Sequence, residues 1–466
     1  MRAAALEPLA RLVEAAGGAD VDWDRVTIDG SDPVLATRFR AGEASAMALA
    51  GCGALSGECW RERTGRRQDV NVDVAAAAVS LLSFAFQRVE GRDGSELGDR
   101  ELITDFYRTR DDRWVLLHGG FPHLQQGILD LLGIATEERA PKDLVARAVA
   151  EWDARELEDA VAEKRLCGAM VRDERAWADH PQGRSLAGVP VVEVVRVADS
   201  PPEPFDREGA RPLSGVRVLD LTRVLAGPTC ARTLAEHGAE VLKITSPDLP
   251  CIPLFVMDTG HGKRSARLRL REPAEADRLR ELVRDADVFS QGYRGGALDR
   301  LGFDEESLFA LRPGLVHVSI NCYGHEGPWR ARGGWEQLAQ TVSGVAHENG
   351  GDAPALLPAA VTDYTTGTLA ALGTLVALLR RAREGGSYRV RVSLTRTAMW
   401  LQSLGRTEER GAGIDGDLVR SRLTSSDSPY GKLWHLAPVV QMSETAPHWS
   451  QPTVPLGTDP AEWTRA

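Results

Sequence analysis

Two stretches of this chain are copies of one another, and the copying limits the folds open to it. Residues 49–84, LAGCGALSGECWRERTGRRQDVNVDVAAAAVSLLSF, align without gaps on residues 369–404, LAALGTLVALLRRAREGGSYRVRVSLTRTAMWLQSL. Gly53 and Gly373, Gly65 and Gly385, Arg61 and Arg381, and Val70 and Val390 all stand 320 positions apart. Each copy reads as a small-residue helix with a basic last turn, a glycine turn, a short strand (VNVDV, VRVSL) and a further helix. Two such units in register mean that a piece of structure is duplicated within the chain.

From Leu213 the pattern becomes strand and helix in alternation. VRVLDL, AEVLKI, RSARLRL, DVFSQ and LVHVSIN read as strands, with helices over CARTLAEHG, EPAEADRLRELVRDA and the stretch near GALDRLG between them. That alternation predicts right-handed βαβ units and a parallel sheet. In such sheets ligands bind beyond the carboxyl ends of the strands. The rule singles out the loops TRVLAGP (222–228), SQGYRGG (290–296) and NCYGHEGPW (321–329). The expected fold class is therefore α/β, a Rossmann-like parallel-sheet large domain with a smaller α+β domain. Residues 1–87, holding the first copy, read as part of the large domain, and 88–178 as the small domain. Residues 179–212 form a return segment and Pro-rich linker, and 213–405 the Rossmann-like domain. The stretch 406–466 reads as an irregular tail.

Composition narrows the partners. The net charge of −11 argues against nucleic acid and against anionic membrane surfaces, which need a clustered positive field. No stretch has the uninterrupted apolar length of a membrane span. The six cysteines are scattered, with no CxxC and no metal-ligand spacing with histidine, which fits a reduced, cytoplasmic setting and no metal site. The N-terminal run keeps its charges and lacks the apolar core of a signal peptide.

Within VTDYTTGTLAALG, Asp363 has no Lys or Arg within fifteen residues on either side. Read locally it is a helix N-cap. The motifs GVRVLDLTRVLAGP, HGKRS, ADVFSQGYRGGALDRLGF, GHEGPW, WEQLAQTVSG and VTDYTTGTLAALG, in that order, resemble the family III CoA-transferases across about 213–405. A second resemblance covers about 38–190, through DDRWVLLHGGF and HPQGRSLAG, and is to the later half of that family. The resemblance implies that the halves occur here in rearranged order. It implies an enzyme exchanging CoA between an acyl-CoA thioester and a carboxylic acid, with coenzyme A as substrate and no permanently bound cofactor. It also implies a homodimer, interlocked in the family.

The resemblance places Asp363 at the family's nucleophile, held ionised by helix N–H donors and the helix dipole. Glu336 falls at an acidic position beside the site, to orient substrate or water, or else is a solvated helix-start residue. Val224 and Ala226 match backbone contacts to CoA, Tyr293 an adenine-side residue and Arg300 a phosphate contact; Lys263 and Arg264 add positive charge. Gly119 and Gly120 resemble the glycine loop that covers the intermediates, and would otherwise be a tight turn. Trp335 stands where the family's racemases carry a histidine, and indole cannot exchange a proton, so racemase or lyase chemistry is disfavoured. Leu225 replaces a polar amide and Ser246 an arginine. These departures keep open a second reading, a non-catalytic CoA-binding partner subunit.

Overall fold

The structure is a computed structural model that describes residues 2–18, 21–91, 103–135 and 141–464. Six parallel strands build the main sheet: Arg217–Asp220, Glu240–Thr245, Lys263–Arg267, Val288–Gln291, Val316–Asn321 and Ser387–Ser393. Numbered one to six along the chain, they lie in the order 3-2-1-4-5-6, the doubly wound order of dinucleotide-binding folds. A seventh strand, Glu193–Ala198, closes the edge antiparallel to Ser387–Ser393. The strands are sunk between helices, so Val218, Leu219, Val288, Phe289, Val316 and Val318 are all fully buried. The strand order reverses between Arg217–Asp220 and Val288–Gln291, which opens a crevice at their carboxyl ends.

The duplicated unit is real structure. Its two long helices, Ala41–Thr64 and Val361–Glu384, begin and end 320 positions apart and pack against one another. The strand after each pairs in parallel with an earlier strand: Val70–Asp73 with Val26–Asp29, and Ser387–Ser393 with Val316–Asn321. The first copy's sheet has three strands, Val26–Asp29, Val70–Asp73 and Gln441–Met442. Gly367 lets the second long helix approach the helix Ala226–Glu236, since a Cβ there would lie 2.3 Å from the Ala226 carbonyl oxygen.

The small α+β unit is a three-stranded antiparallel sheet, Asp105–Arg108, Trp114–Leu117 and Gly168–Met170, covered by the helices Pro122–Leu131, Lys142–Val149 and Ala154–Glu163. A buried ion pair, Arg172 to Glu158 at 2.6 Å, sits at its junction with the large domain, where the Arg172 N–H donates to the Thr341 carbonyl. One expectation is corrected. The tail is not irregular throughout: Leu423–Ser428 and Gly431–Leu436 form an antiparallel hairpin that pairs with Arg88–Val89. Beyond it, the Gly457 and Asp459 N–H groups bond Ser265, capping the sheet edge at Lys263–Arg267. Among the described residues no helix is long and apolar enough to cross a membrane.

Candidate active site

A cleft of about 600 Å³ opens where the strand order reverses. Its floor is Thr222–Gly227 after the first parallel strand, Gln291–Gly296 after the fourth and Ser319–Cys322 at the end of the fifth. Gly333, Gly334, Trp335 and Glu336 form one wall with Asp363. Phe121, His123, Leu124 and Cys167 of the small domain form the opposite wall, from the same chain. The contact between walls is aromatic: His118 stacks on Trp335 at 4.3 Å, and Phe121 meets the same indole at 5.1 Å.

Asp363 is not the helix cap. Ala360 holds that position without a side-chain bond, and Asp363 lies inside the first turn, 7 % exposed and lining the cleft. Nor is its carboxylate held in the ordinary ionised range. Burial pushes its pKa well up, neighbouring Glu336 pushes it further, and only the Ala226 N–H opposes them. Glu336 is likewise no solvated residue: it is 5 % exposed, and burial raises it to about 7. Three donors meet on its Oε1: Gln340 Nε2 at 2.6 Å, and the N–H and hydroxyl of Thr362 at 3.2 Å each. Gln340, itself fully buried, accepts the Leu357 N–H on its other end at 2.8 Å.

The remaining expected residues divide. Val224 and Ala226 line the cleft, and Val224 holds φ 69°, a left-handed conformation that costs a β-branched residue about 1–3 kcal/mol. That strained step precedes the helix start from which the Ala226 N–H reaches Asp363. Tyr293 lines both this cleft and a second cavity of about 680 Å³, where Arg300 is found with Arg269, Arg271 and Ser246. Lys263 and Arg264 do not line the cleft. Lys263 is buried, donating to Asp220 at 2.8 Å and to the Pro228 carbonyl at 2.7 Å, so its charge is engaged by a buried carboxylate. Arg264 is engaged with the tail, through the Glu462 carbonyl and Asp459. The Gly119 N–H donates to Thr104 and the Gly120 N–H to His118. Neither glycine is among those with positive φ; a Cβ at Gly119 would instead strike Ile103 at 2.6 Å. The loop reaches the cleft through the next residue, Phe121.

Sequence reasoning did not single out the cleft's cations. Arg223, Arg294, Arg330, Arg332 and Arg391 line it, with His123 and His325. Arg332 pairs with Asp159 and Arg391 with Glu305, both at 3.3 Å. Arg223 instead sits over the Phe121 ring, and Arg294 donates to the Arg165 carbonyl. The signal for Arg223 and Arg294 was present, since both stand in loops chosen by the strand-end rule. Gln340 was readable as one helical turn beyond Glu336.

Comparison with known proteins fits this arrangement. Over 332 residues the chain is 35% identical to the acetyl-coenzyme A transferase nodX of Hypoxylon pulicicidum, covering 66% of this chain and 56% of that protein. It is 33% identical over 226 residues to the succinyl-CoA:glutarate CoA-transferase of Mus musculus, covering 45% of this chain and 50% of that one. It is 35% identical over 196 residues to the formyl-CoA:oxalate CoA-transferase of Rhodopseudomonas palustris (strain BisA53), covering 39% and 46%. The chain thus spans about half the length of these relatives. Residues 25–198 and 213–427 match the CoA-transferase family III, and the chain belongs to that family.

Proposed function

We propose that this chain transfers CoA from an acyl-CoA thioester to a carboxylic acid, with Asp363 as the nucleophile. One observation carries the reading: a carboxylate with no cationic partner among the described residues lines an open cleft of about 600 Å³ at the switch point of a doubly wound sheet. Asp363 attacks the thioester carbonyl, giving an aspartyl mixed anhydride and CoA thiolate. The thiolate returns to the aspartyl carbonyl, releasing the first acid and leaving an aspartyl-CoA thioester. An acceptor carboxylate then attacks that thioester, and the thiolate finally takes the acyl group of the new anhydride.

In this reading the pantetheine arm passes Val224 and Ala226, and Tyr293 marks its way toward the second cavity. There Arg269, Arg271 and Arg300 supply positive charge for the CoA phosphates. Lys263 and Arg264 have no part in it. Gly119 and Gly120 position Phe121 over the intermediates. We read the chain order as a rearrangement of the family's halves. Because both walls of the cleft come from one chain, the site is whole within a protomer of the proposed homodimer. Leu225, apolar and lining the cleft, favours the second reading, a CoA-binding subunit without turnover.

The test is direct. Incubation of the chain with acetyl-CoA and succinyl-CoA against a panel of mono- and dicarboxylic acids is expected to yield new thioesters and a hydroxylamine-sensitive acyl-enzyme. Asp363→Ala is expected to abolish both while circular dichroism stays unchanged. Exchange that survives the substitution removes Asp363 as nucleophile. CoA binding by calorimetry, with no acyl-enzyme from any donor, establishes the second reading instead.

A further inference from the structure

We infer that Asp363 and Glu336 share one proton, that the resting protein keeps it on Asp363, and that Glu336 is the base that removes it when a thioester arrives. This rests on the nucleophilic reading of Asp363. All three hydrogen bonds to Glu336 fall on Oε1, from Gln340 and from both groups of Thr362. Each favours the ionised carboxylate. Glu336 Oε2 accepts none of these bonds, and the residue lines the cleft beside Asp363. Asp363 has one such donor, the Ala226 N–H. Two buried neighbouring carboxyls cannot both ionise at low cost, so the pair keeps a proton, and it settles on the member with fewer donors.

The groups around the pair do not change this. Cys322 and Cys167 line the cleft, and burial pushes both thiols up, so they stay neutral. His118, stacked on Trp335, is pushed down to about 3 and is also neutral. Burial also pushes His325 down, to about 4, and lowers His123, with Arg294 and Arg223 adding to it. The side chains of Arg223, Arg294, Arg330, Arg332 and Arg391 also line the cleft. Burial dominates both carboxyl shifts, and no cation is among the causes that oppose it.

The proton balance closes. As Asp363 bonds to the thioester carbonyl carbon, its proton passes to Glu336 Oε2. As the carbon–sulfur bond breaks, CoA leaves as thiolate, and Glu336 protonates it to the thiol. Glu336 takes that proton back when the sulfur attacks the aspartyl carbonyl and the first acid departs as carboxylate. In the second half it lends and regains the same proton, and returns it to Asp363 as the new acyl-CoA forms and the Asp363 carboxylate is released. Glu336 is thus the base, whereas Gln340 and Thr362 are positioning residues that keep it ready to accept.

Two measurements test the assignment. Infrared spectra of the ligand-free protein at about pH 8 are expected to show a protonated carboxyl band that persists in Glu336→Gln and disappears in Asp363→Asn. The converse, loss in Glu336→Gln and persistence in Asp363→Asn, overturns the inference whatever the activity. In kinetics with the donor that gives acyl-enzyme, Glu336→Gln is expected to lower kcat/KM near neutrality by about 10²–10⁴-fold, the range of general-base catalysis. Activity is expected to recover as pH rises and Asp363 ionises unaided; a loss equal at every pH overturns the role of Glu336. Gln340→Leu and Thr362→Val each remove a donor to Oε1, so both are expected to move the acid limb of the profile up by about one unit. Thr362→Val leaves the Leu357 N–H bonded, so it guards against a folding defect in the first. An unmoved limb in both sinks the positioning roles. If the wild type shows no acyl-enzyme but the infrared assignment holds, the transferase reading fails and the shared proton stands.

Discussion

At the scale of single residues, the site is defined by how few partners Asp363 has. A buried carboxylate normally finds an Arg, a Lys or several N–H groups. This one has one N–H donor and a second carboxylate beside it. Such a group weakens the fold where it is asked to ionise. A carboxyl raised in the folded state imposes no penalty below its unfolded pKa, and the penalty grows as pH rises toward the folded value. Asp363→Asn keeps the shape and an oxygen for the Ala226 N–H while removing the charge. Its melting temperature is therefore expected to match the wild type at about pH 4 and to exceed it by about 2–4 °C at about pH 8, each degree answering to about 1 kcal/mol in a chain of this size. Differential scanning calorimetry across that range checks it; an equal or opposite difference at the two ends contradicts the burial argument. Lys263 teaches the complementary lesson. A lysine in a basic motif looks like a phosphate contact, yet Asp220 lies beneath it and fixes its ammonium in the core.

At the scale of elements, the parallel strands and their order of appearance were legible, because apolar runs alternating with helix-period segments leave few arrangements. The rule that ligands gather beyond strand ends then located three of the cleft's loops, and with them Arg223, Arg294, Val224, Tyr293 and His325. What could not be read was which chain neighbour faces which side chain. Lys263 and Arg264 alternate on one strand, and nothing local says that the first points at Asp220 and the second at the tail. The tail hairpin was missed for a related reason: LTSSDS is polar and half exposed, and it is held as a strand by its partner Gly431–Leu436, not by its own periodicity. The long helix Val361–Glu384 sets the nucleophile through a close crossing. Gly367→Ala inserts a methyl group 2.3 Å from the Ala226 carbonyl and 2.6 Å from the Thr229 Cβ, both on the helix that presents the Ala226 N–H. The crossing must widen, at a cost of about 1–3 kcal/mol. Chemical denaturation is expected to show that loss, and acyl-enzyme formation is expected to slow because the donor moves away from Asp363. A stable variant with unchanged acyl transfer shows that the crossing distance does not govern the site.

At the scale of the whole molecule, the duplicated unit poses a question of stoichiometry. The helix register sets Glu43 at the place in the first copy that Asp363 holds in the second, each the third residue of its 24-residue helix. The surroundings differ in every feature that matters to chemistry. Glu43 pairs with Arg40 at 3.0 Å, accepts the Asp32 N–H, and gives its own N–H to the Asp32 carboxylate. The sheet behind it has three strands and no reversal of a six-stranded parallel order, so no crevice of the second copy's kind opens there. A carboxylate already neutralised by an arginine is a poor nucleophile and is closed to an incoming thioester. The first copy therefore serves as scaffold, packing its long helix on the one that carries Asp363. Titration with the productive acyl-CoA, followed by hydroxylamine trapping and mass spectrometry of the intact chain, is expected to find one adduct per chain, lying in the peptide that contains residue 363. Glu43→Gln is expected to leave that yield and the exchange rate unchanged. Two adducts per chain, or a yield halved by Glu43→Gln, means that the first copy takes part in the chemistry, and the one-cleft account of the molecule falls with it.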